Sequence, residues 1–299
     1  MPDFDLSELR RVRAQHPEAV ADAARQRRRR PLFDESGKLT VVAADHPARG
    51  VLAVRGAAGA MADRADLLHR LLVALSRPGV DGVLATPDVL DDLLLLGALE
   101  EKLVFGSMNR GGLHGAVFEL DDRFTAYDAE SLATMGFEGG KMLCRVDFES
   151  HRTASTLEAC GKAVTALARL KLVAMIEPFV CHTTGGRVIT DLATEAVIRS
   201  VAVAAGLGSS SAYTWLKLPV VDHMEDVMAA TTLPTFLLGG DSDLAPDIYA
   251  KWEQALALPG VRGLVVGRAL LYPPDGDIEA AVDSAVQLVG RSPAPTGQV

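Results

Sequence analysis

A (β/α)8 barrel, the TIM barrel, with a helical extension at its N-terminus is the fold class that the sequence predicts. Three observations predict it. From Leu39 onward, short apolar or β-branched runs alternate with amphipathic stretches of helical period. The alternation recurs eight times without a break. No Gly-x-Gly-x-x-Gly follows the first run, which disfavours a dinucleotide-binding doubly wound sheet. The chain length of 299 residues suits one large α/β domain as well as two small ones. The expected division is a helical extension over residues 1–35, the barrel over 36–290 and a flexible Pro/Gly tail over 291–299.

The extension reads as polar helices rich in Arg and Ala, ending at Arg30-Pro31 and capping the main domain. Its one basic run, Arg27-Arg28-Arg29-Arg30, is expected to be a solvated helix end. The first strand spans Leu39 to Ala44 and is followed by Asp45-His46-Pro47. A helix around Asp63 to Leu75 carries Leu67, Leu68, Leu71, Leu72 and Leu75 at helical spacing and stops at Arg77-Pro78-Gly79. Gly82 to Ala85 forms the second strand, a helix runs from Pro87 to about Glu100, and Lys102 to Gly106 forms the third strand. The Gly-containing excursion from Ser107 to Tyr127 has room for a hairpin. Gly139-Gly140 leads into the fourth strand, Lys141 to Val146, and a helix at about Ser155 to Leu170 leads to the fifth, Leu172 to Glu177. The sixth strand ends at Lys217, the seventh is Thr235 to Gly240, and the eighth is Gly263 to Arg268. A helix from Asp277 to Leu288 closes the domain.

Composition excludes several classes of function. A net charge of −9, with nothing resembling a basic face, argues against nucleic acid as a partner. No apolar run approaches the ~18 residues of a membrane span, and the N-terminus has no apolar signal core, so a cytoplasmic protein is expected. The three cysteines show no pairing pattern, which fits a reducing compartment. Cys144 and Cys160 read as small core residues, whereas Cys181 follows a strand end and could line a site. Neither a CxxC nor paired histidines at ligand spacing occur, so neither a metal nor a cofactor is expected.

In a barrel, chemistry is built from the C-terminal strand ends and the loops after them. Asp45 and His46 end the first strand, Asn109 and Arg110 follow the third, and Arg145 and Asp147 end the fourth. Glu177 ends the fifth and Lys217 the sixth. Strand alternation puts Lys141, Leu143 and Arg145 on one face, and Tyr213, Trp215 and Lys217 on another. A lysine in a buried strand is costly unless it is neutral, paired or reactive, and a desolvated amine is what imine-forming enzymes use. Read alone, Lys217 fits either that role or a lysine that snorkels to water. Asp45 likewise fits a turn residue, and Glu177 before Pro178 a solvated strand end. Together, two carboxylates and two lysines converge on one mouth.

A second signal comes from glycine. Gly239-Gly240 closes the seventh strand and Gly267-Arg268 the eighth, where barrels commonly place a phosphate. Backbone N–H groups left accessible by glycine bind an anion, and Arg268 can add a bidentate contact.

These residues resemble the class I, Schiff-base aldolases of the superfamily that contains deoxyribose-phosphate, tagatose-bisphosphate and archaeal-type fructose-bisphosphate aldolases. The resemblance rests on Asp45-His46, Lys141, Glu177-Pro178, Lys217-Leu218-Pro219, Gly239-Gly240 and Gly267-Arg268, over residues 39 to 290. The strand-four lysine and strand-five glutamate are nearest the tagatose-bisphosphate branch; archaeal-type fructose-bisphosphate aldolases have a tyrosine at the latter position. Residues 43–50 and Met108-Asn109-Arg110-Gly111-Gly112 look like an actinobacterial aldolase-like group whose genes accompany those of myo-inositol breakdown.

The resemblance implies cleavage of 5-dehydro-2-deoxygluconate 6-phosphate to dihydroxyacetone phosphate and malonate semialdehyde. It assigns imine formation to Lys217 and proton transfer to Glu177, whose pKa would need raising toward neutrality. Lys141 would supply charge, Asp45 would bond a substrate hydroxyl, and Arg145 would meet a second substrate anion. Other ketose phosphates, a phosphate-binding isomerase and a non-catalytic sugar-phosphate sensor stay open as alternatives. A homo-oligomer is expected, as is usual for soluble barrels.

Overall fold

Nine strands form one sheet in the computed structural model, which describes residues 4–109, 112–239 and 248–290. They are β1 (Leu39–Ala44), β2 (Gly82–Ala85), β3 (Leu103–Ser107), β4 (Gly139–Val146), β5 (Val173–Thr184), β6 (Arg187–Asp191), β7 (Thr214–Leu218), β8 (Thr235–Leu238) and β9 (Val261–Val266). All but β6 pair in parallel, in the order β4-β3-β2-β1-β9-β8-β7-β5, and a β4–β5 ladder closes the ring. The result is the predicted (β/α)8 barrel.

Closure follows from strands that are apolar on both faces. The inward phase of the period-two alternation sends Leu39, Val41, Leu84, Phe105, Met175, Trp215 and Phe236 into the ring. The outward phase, including Val42, Val83, Val104 and Leu216, packs against the helices in a second, larger core. Those helices are α1 (Leu6–Gln15), α2 (Ala19–Gln26), α3 (Arg64–Ser76), α4 (Pro87–Leu95), α5 (Ala129–Thr134), α6 (Arg152–Arg169), α7 (Thr194–Ala205), α8 (Met224–Ala229), α9 (Ile248–Leu256), α10 (Arg268–Leu271) and α11 (Ile278–Leu288). Several start where the sequence marks a cap: Asp63, Asp128 and Asp277 each accept a backbone N–H of the first helical turn.

The N-terminal segment is bound to the barrel more closely than a solvated cap would be. Phe33 lies against Trp215, ring centroids 5.3 Å apart, and so covers the apolar interior from the N-terminal end. The arginine run departs from a solvated helix end at Arg27 and Arg30, whereas Arg28 and Arg29 stay exposed while paired. Arg27 is buried and donates to the carbonyls of Lys102 and Gly136. Arg28 pairs with Glu100, Arg29 with Glu138 and Arg30 with Asp81. Asp81 and Glu138 are buried because each also accepts a strand N–H, from Thr40 and Val104 respectively, at 2.7 Å. Four cations therefore tie the extension to the ring. Glu138→Ala is expected to cost about 3–5 kcal/mol, because it strands the buried Arg27 charge and the Val104 N–H together. Urea unfolding measures this, and a loss below about 1 kcal/mol would show that the anchor is dispensable.

Two expectations are corrected. The excursion at 107–127 carries no hairpin strands among its described residues, only an isolated bridge between Asn109 and Phe124. The hairpin is instead β5–β6, because β5 does not stop at Glu177 but continues through Pro178 to Thr184. Pro178 falls between the end of the β7 ladder at Ile176 and the start of the β6 ladder at Val180, an edge position that tolerates a missing N–H. Of the expected tail, residues 291–299 lie outside the described residues, as do Arg110, Gly111 and Gly240. Among the described residues no helix is long and apolar enough to cross a membrane.

Candidate active site

Inward-facing positions on β4, β5 and β7, and the residue just after β1, bring Lys141, Glu177, Lys217 and Asp45 together. All four are buried. Lys217 Nζ donates to Glu177 Oε1 at 2.7 Å. Lys141 Nζ contacts Glu177 Oε2 and donates to Asp45 Oδ2 at 3.1 Å. The order Lys217–Glu177–Lys141–Asp45 is a row of alternating charges that sums to zero, which is how a barrel can bury four ions. Trp215, two residues before Lys217 on β7, stacks on Phe236 at 4.9 Å. The row therefore rests on an aromatic floor.

The Glu177 carboxyl is affected by opposing causes. Burial raises its pKa, but the charges of Lys141 and Lys217 and their hydrogen bonds outweigh burial and hold it below the usual carboxylate range. Sequence leaves the sign of this shift open, because burial and the neighbouring lysines oppose one another; in the unliganded site the two flanking ammonium groups decide it. His46 is held neutral: burial, then the positive charges of Arg268 and Lys217, lower its pKa from 6.5 to about 3. An NMR titration of its imidazole should show no protonation step between pH 8 and pH 5, and a midpoint near the ordinary 6.5 would show that the neighbouring positive charges do not act on it as described.

A cavity of about 720 Å³ opens above this row. Asp45, Lys141 and Glu177 line it, whereas Lys217 lies just beneath, behind Glu177. Its walls come from the loop after β1, including Arg49 and Arg55, from Phe179 on β5 and from Val188 and Thr190 on the β6 arm. Arg268, which follows β9, also lines it.

The glycines and Arg145 behave differently from a simple anion-binding set. A Cβ at Gly267 would stand 2.3 Å from the Ala43 carbonyl oxygen, and one at Gly239 would stand 2.7 Å from Val266 Cγ1, so packing alone requires both glycines. Gly240, the other glycine expected here, is among the undescribed residues. Arg145 lines the cavity, but its guanidinium is held by Asp122, with Nε–Oδ2 at 2.6 Å and Nη2–Oδ1 at 2.8 Å, and by the Glu119 carbonyl. The expectation that Arg145 meets a substrate anion is corrected on that ground: an intramolecular carboxylate already occupies its fork. Asn109 is structural, bonding both the N–H and the carbonyl of Leu143. Cys181 is buried on β5 with its sulfur 3.8 Å from Thr190 Oγ1 and borders no part of the cavity.

Arg49, Arg55, Glu119 and Asp122 are the residues that sequence reasoning missed. Arg49 stood within the run at residues 43–50, where its position four residues after Asp45 was a usable signal. Glu119 and Asp122 carried none, since their partner Arg145 is more than twenty residues away in sequence. Among the described residues, no group of His, Cys, Asp and Glu is placed to hold a metal ion.

Residues 37–286 match the family described as Cgl0159-like. A crystal structure of Cgl0159 from Corynebacterium glutamicum is 57% identical, with 95% of this chain and 96% of that one covered, at a TM-score of 0.92. An archaeal fructose 1,6-bisphosphate aldolase shares the fold at 17% identity, covering 90% and 98% of the two chains, with a TM-score of 0.63. Fructose-bisphosphate aldolase from Slackia heliotrinireducens does so at 15% identity, covering 96% and 89%, again at 0.63. An archaeal aldolase with its catalytic lysine covalently bound to the carbinolamine intermediate overlays at 18% identity, 90% and 99% coverage and a TM-score of 0.64. No curated protein is detectably similar in sequence.

Proposed function

The chain belongs to the Cgl0159-like family, and from that premise we propose that it is a class I aldolase acting on a phosphorylated keto-sugar through a Schiff base on Lys217. The observation that carries this reading is the buried row Lys217–Glu177–Lys141–Asp45 beneath a cavity lined by arginines. Its fold is also that of aldolases whose lysine forms a carbinolamine.

Glu177 takes a proton from the Lys217 ammonium across their hydrogen bond, and the neutral amine attacks the substrate ketone. The carbinolamine hydroxyl leaves as water when Glu177 returns that proton, giving an iminium. The C–C bond one carbon beyond the iminium carbon then breaks. Its electron pair enters the iminium to form an enamine, while the proton of the departing carbon's hydroxyl passes to Glu177 or Asp45. Protonation of the enamine and hydrolysis of the imine regenerate Lys217. Lys141 keeps its charge throughout and holds Glu177 and Asp45 at a fixed separation. Arg268 and the glycines beside it form the phosphate end of the site.

The substrate that fits the family resemblance is 5-dehydro-2-deoxygluconate 6-phosphate, cleaved to dihydroxyacetone phosphate and malonate semialdehyde in inositol breakdown. Borohydride added with this compound, or with dihydroxyacetone phosphate, should leave a reduced adduct on the peptide carrying Lys217. A second reading has its own support: Lys141 borders the cavity and Lys217 does not. An adduct on Lys141 would exchange the two roles. Turnover with no adduct on either lysine would favour an isomerase in which Glu177 abstracts the proton.

A further inference from the structure

Arg49 and Arg268 line the same cavity, and the contacts of Arg49 direct it away from the strand that Arg268 follows. Around the ring the strands follow the order β1, β2, β3, β4, β5, β7, β8, β9, so β4 lies diametrically opposite β9, the strand that Arg268 follows. Arg49 reaches toward the β4 side. Its Nε donates to the Gly112 carbonyl at 2.9 Å, and its Nη2 lies 3.6 Å from Glu119 Oε1. Its pKa is lowered by burial and by the charge of Arg145 next to it.

The surroundings of Arg49 differ from those of Arg145 in one decisive respect. Arg145 has a carboxylate seated in its fork. Arg49 has a carbonyl on Nε and only a distant carboxylate, which also faces Arg145 at 3.4 Å and His114 at 3.4 Å and accepts the Gly115 N–H at 2.8 Å. Two guanidinium groups thus adjoin, with Asp122 seated on Arg145 and Glu119 shared between them, so Arg49 has no carboxylate in its fork and can take an anion from the cavity. The loop that holds Arg49 in place is closely packed. A Cβ at Gly112 would come 2.2 Å from the Glu119 carbonyl oxygen and 2.7 Å from Arg145 Nη2.

We infer that Arg49 is a specificity-determining residue: it binds an anionic group, carboxylate or phosphate, at the end of the substrate opposite the end held by Arg268. The inference rests on the sugar-phosphate reading for its ligand class, and it makes that ligand a two-ended anion spanning the reactive row. Arg49 and Arg268 line the same cavity as Lys141 and Glu177.

Calorimetric titration with three ligands that lack a ketone tests this without any imine chemistry. Mannitol 1-phosphate has one anionic end, mannitol 1,6-bisphosphate has two phosphates, and 6-phosphogluconate has a phosphate and a carboxylate. The native protein should bind at least one two-ended ligand about 10- to 100-fold more tightly than mannitol 1-phosphate. Arg49→Gln should bring that ratio close to one, and Arg49→Lys, which keeps the charge and loses the fork, should leave it in between. The two-ended ligand that binds more tightly identifies the terminal group. Equal affinities in the native protein, a ratio that survives Arg49→Gln, or no binding of any ligand would overturn the inference. If Arg49→Gln melts early by circular dichroism, Arg49→Lys decides. Because none of these compounds has a ketone or aldehyde, failure of the Schiff-base reading shows up separately, in the borohydride experiment.

Discussion

Replacing Lys217 with methionine should lower turnover by about 10⁴-fold or more and eliminate the borohydride adduct, while the barrel stays folded. Lys141 approaches the opposite oxygen of Glu177 and is also bonded to Asp45, so under this reading it does not replace the missing amine. Methionine preserves most of the volume above Trp215, so the aromatic floor keeps its packing. The cost in stability should be modest, about 1–3 kcal/mol, because Glu177 retains Lys141 as its counter-ion. A Lys217→Met protein that turns over substrate at the native rate, or an adduct still formed on it, would remove Lys217 from the mechanism. Thermal melting of the same preparation separates lost chemistry from lost fold.

The second large effect is expected at Glu177. Glu177→Gln removes the one negative charge between two buried ammonium groups, so both stability and chemistry should suffer. Breaking a buried ion network by removing one member costs about 3–5 kcal/mol, and losing a proton-transfer group costs about 10²–10⁴ in kcat. The stability part carries a pH signature. The folded-state pKa of Glu177 lies below its ordinary 4.5, so its contribution is fully present above pH 4.5 and is lost as pH falls through the lower folded value. Urea unfolding of the native and Glu177→Gln proteins should therefore show a large difference at pH 7 that narrows progressively below pH 4.5. A difference that is constant with pH would mean that shape, and not charge, explains the effect.

Much of the reactive row was legible because strand phase is a local property. Once β1, β4, β5 and β7 are recognised as strands, period-two alternation fixes which side chains share the inward face. Asp45, Lys141, Glu177 and Lys217 all follow from that, and they do meet. The errors have a common origin. Arg145 shares the inward phase of Lys141, yet whether an inward arginine is available depends on what faces it. Asp122 arrives from a loop whose path no periodicity describes. The protonation of Glu177 stayed open in the sequence for the same reason. Burial of a strand-end carboxylate can be anticipated from sequence, but the sign of its pKa shift depends on two lysines from two other strands.

The arginine run shows the same boundary from the other side. Four consecutive cations look solvated in a sequence because solvation is the default for unpaired charge. Here each finds an acceptor at the N-terminal end of the ring, from residues that lie about fifty or more positions away.

Sequence alone determined the fold class, the order of the strands and the inward phase that collects two lysines and two carboxylates, since all of these follow from repeats no longer than one βα unit. Tertiary structure decided which charges are compensated, that β5 runs on into an arm, and that Arg49 and not Arg145 faces the cavity without a carboxylate in its fork. The physical reason is distance: Coulomb interactions and hydrogen bonds act over a few ångströms through space. Ring closure makes neighbours of residues that the chain keeps far apart.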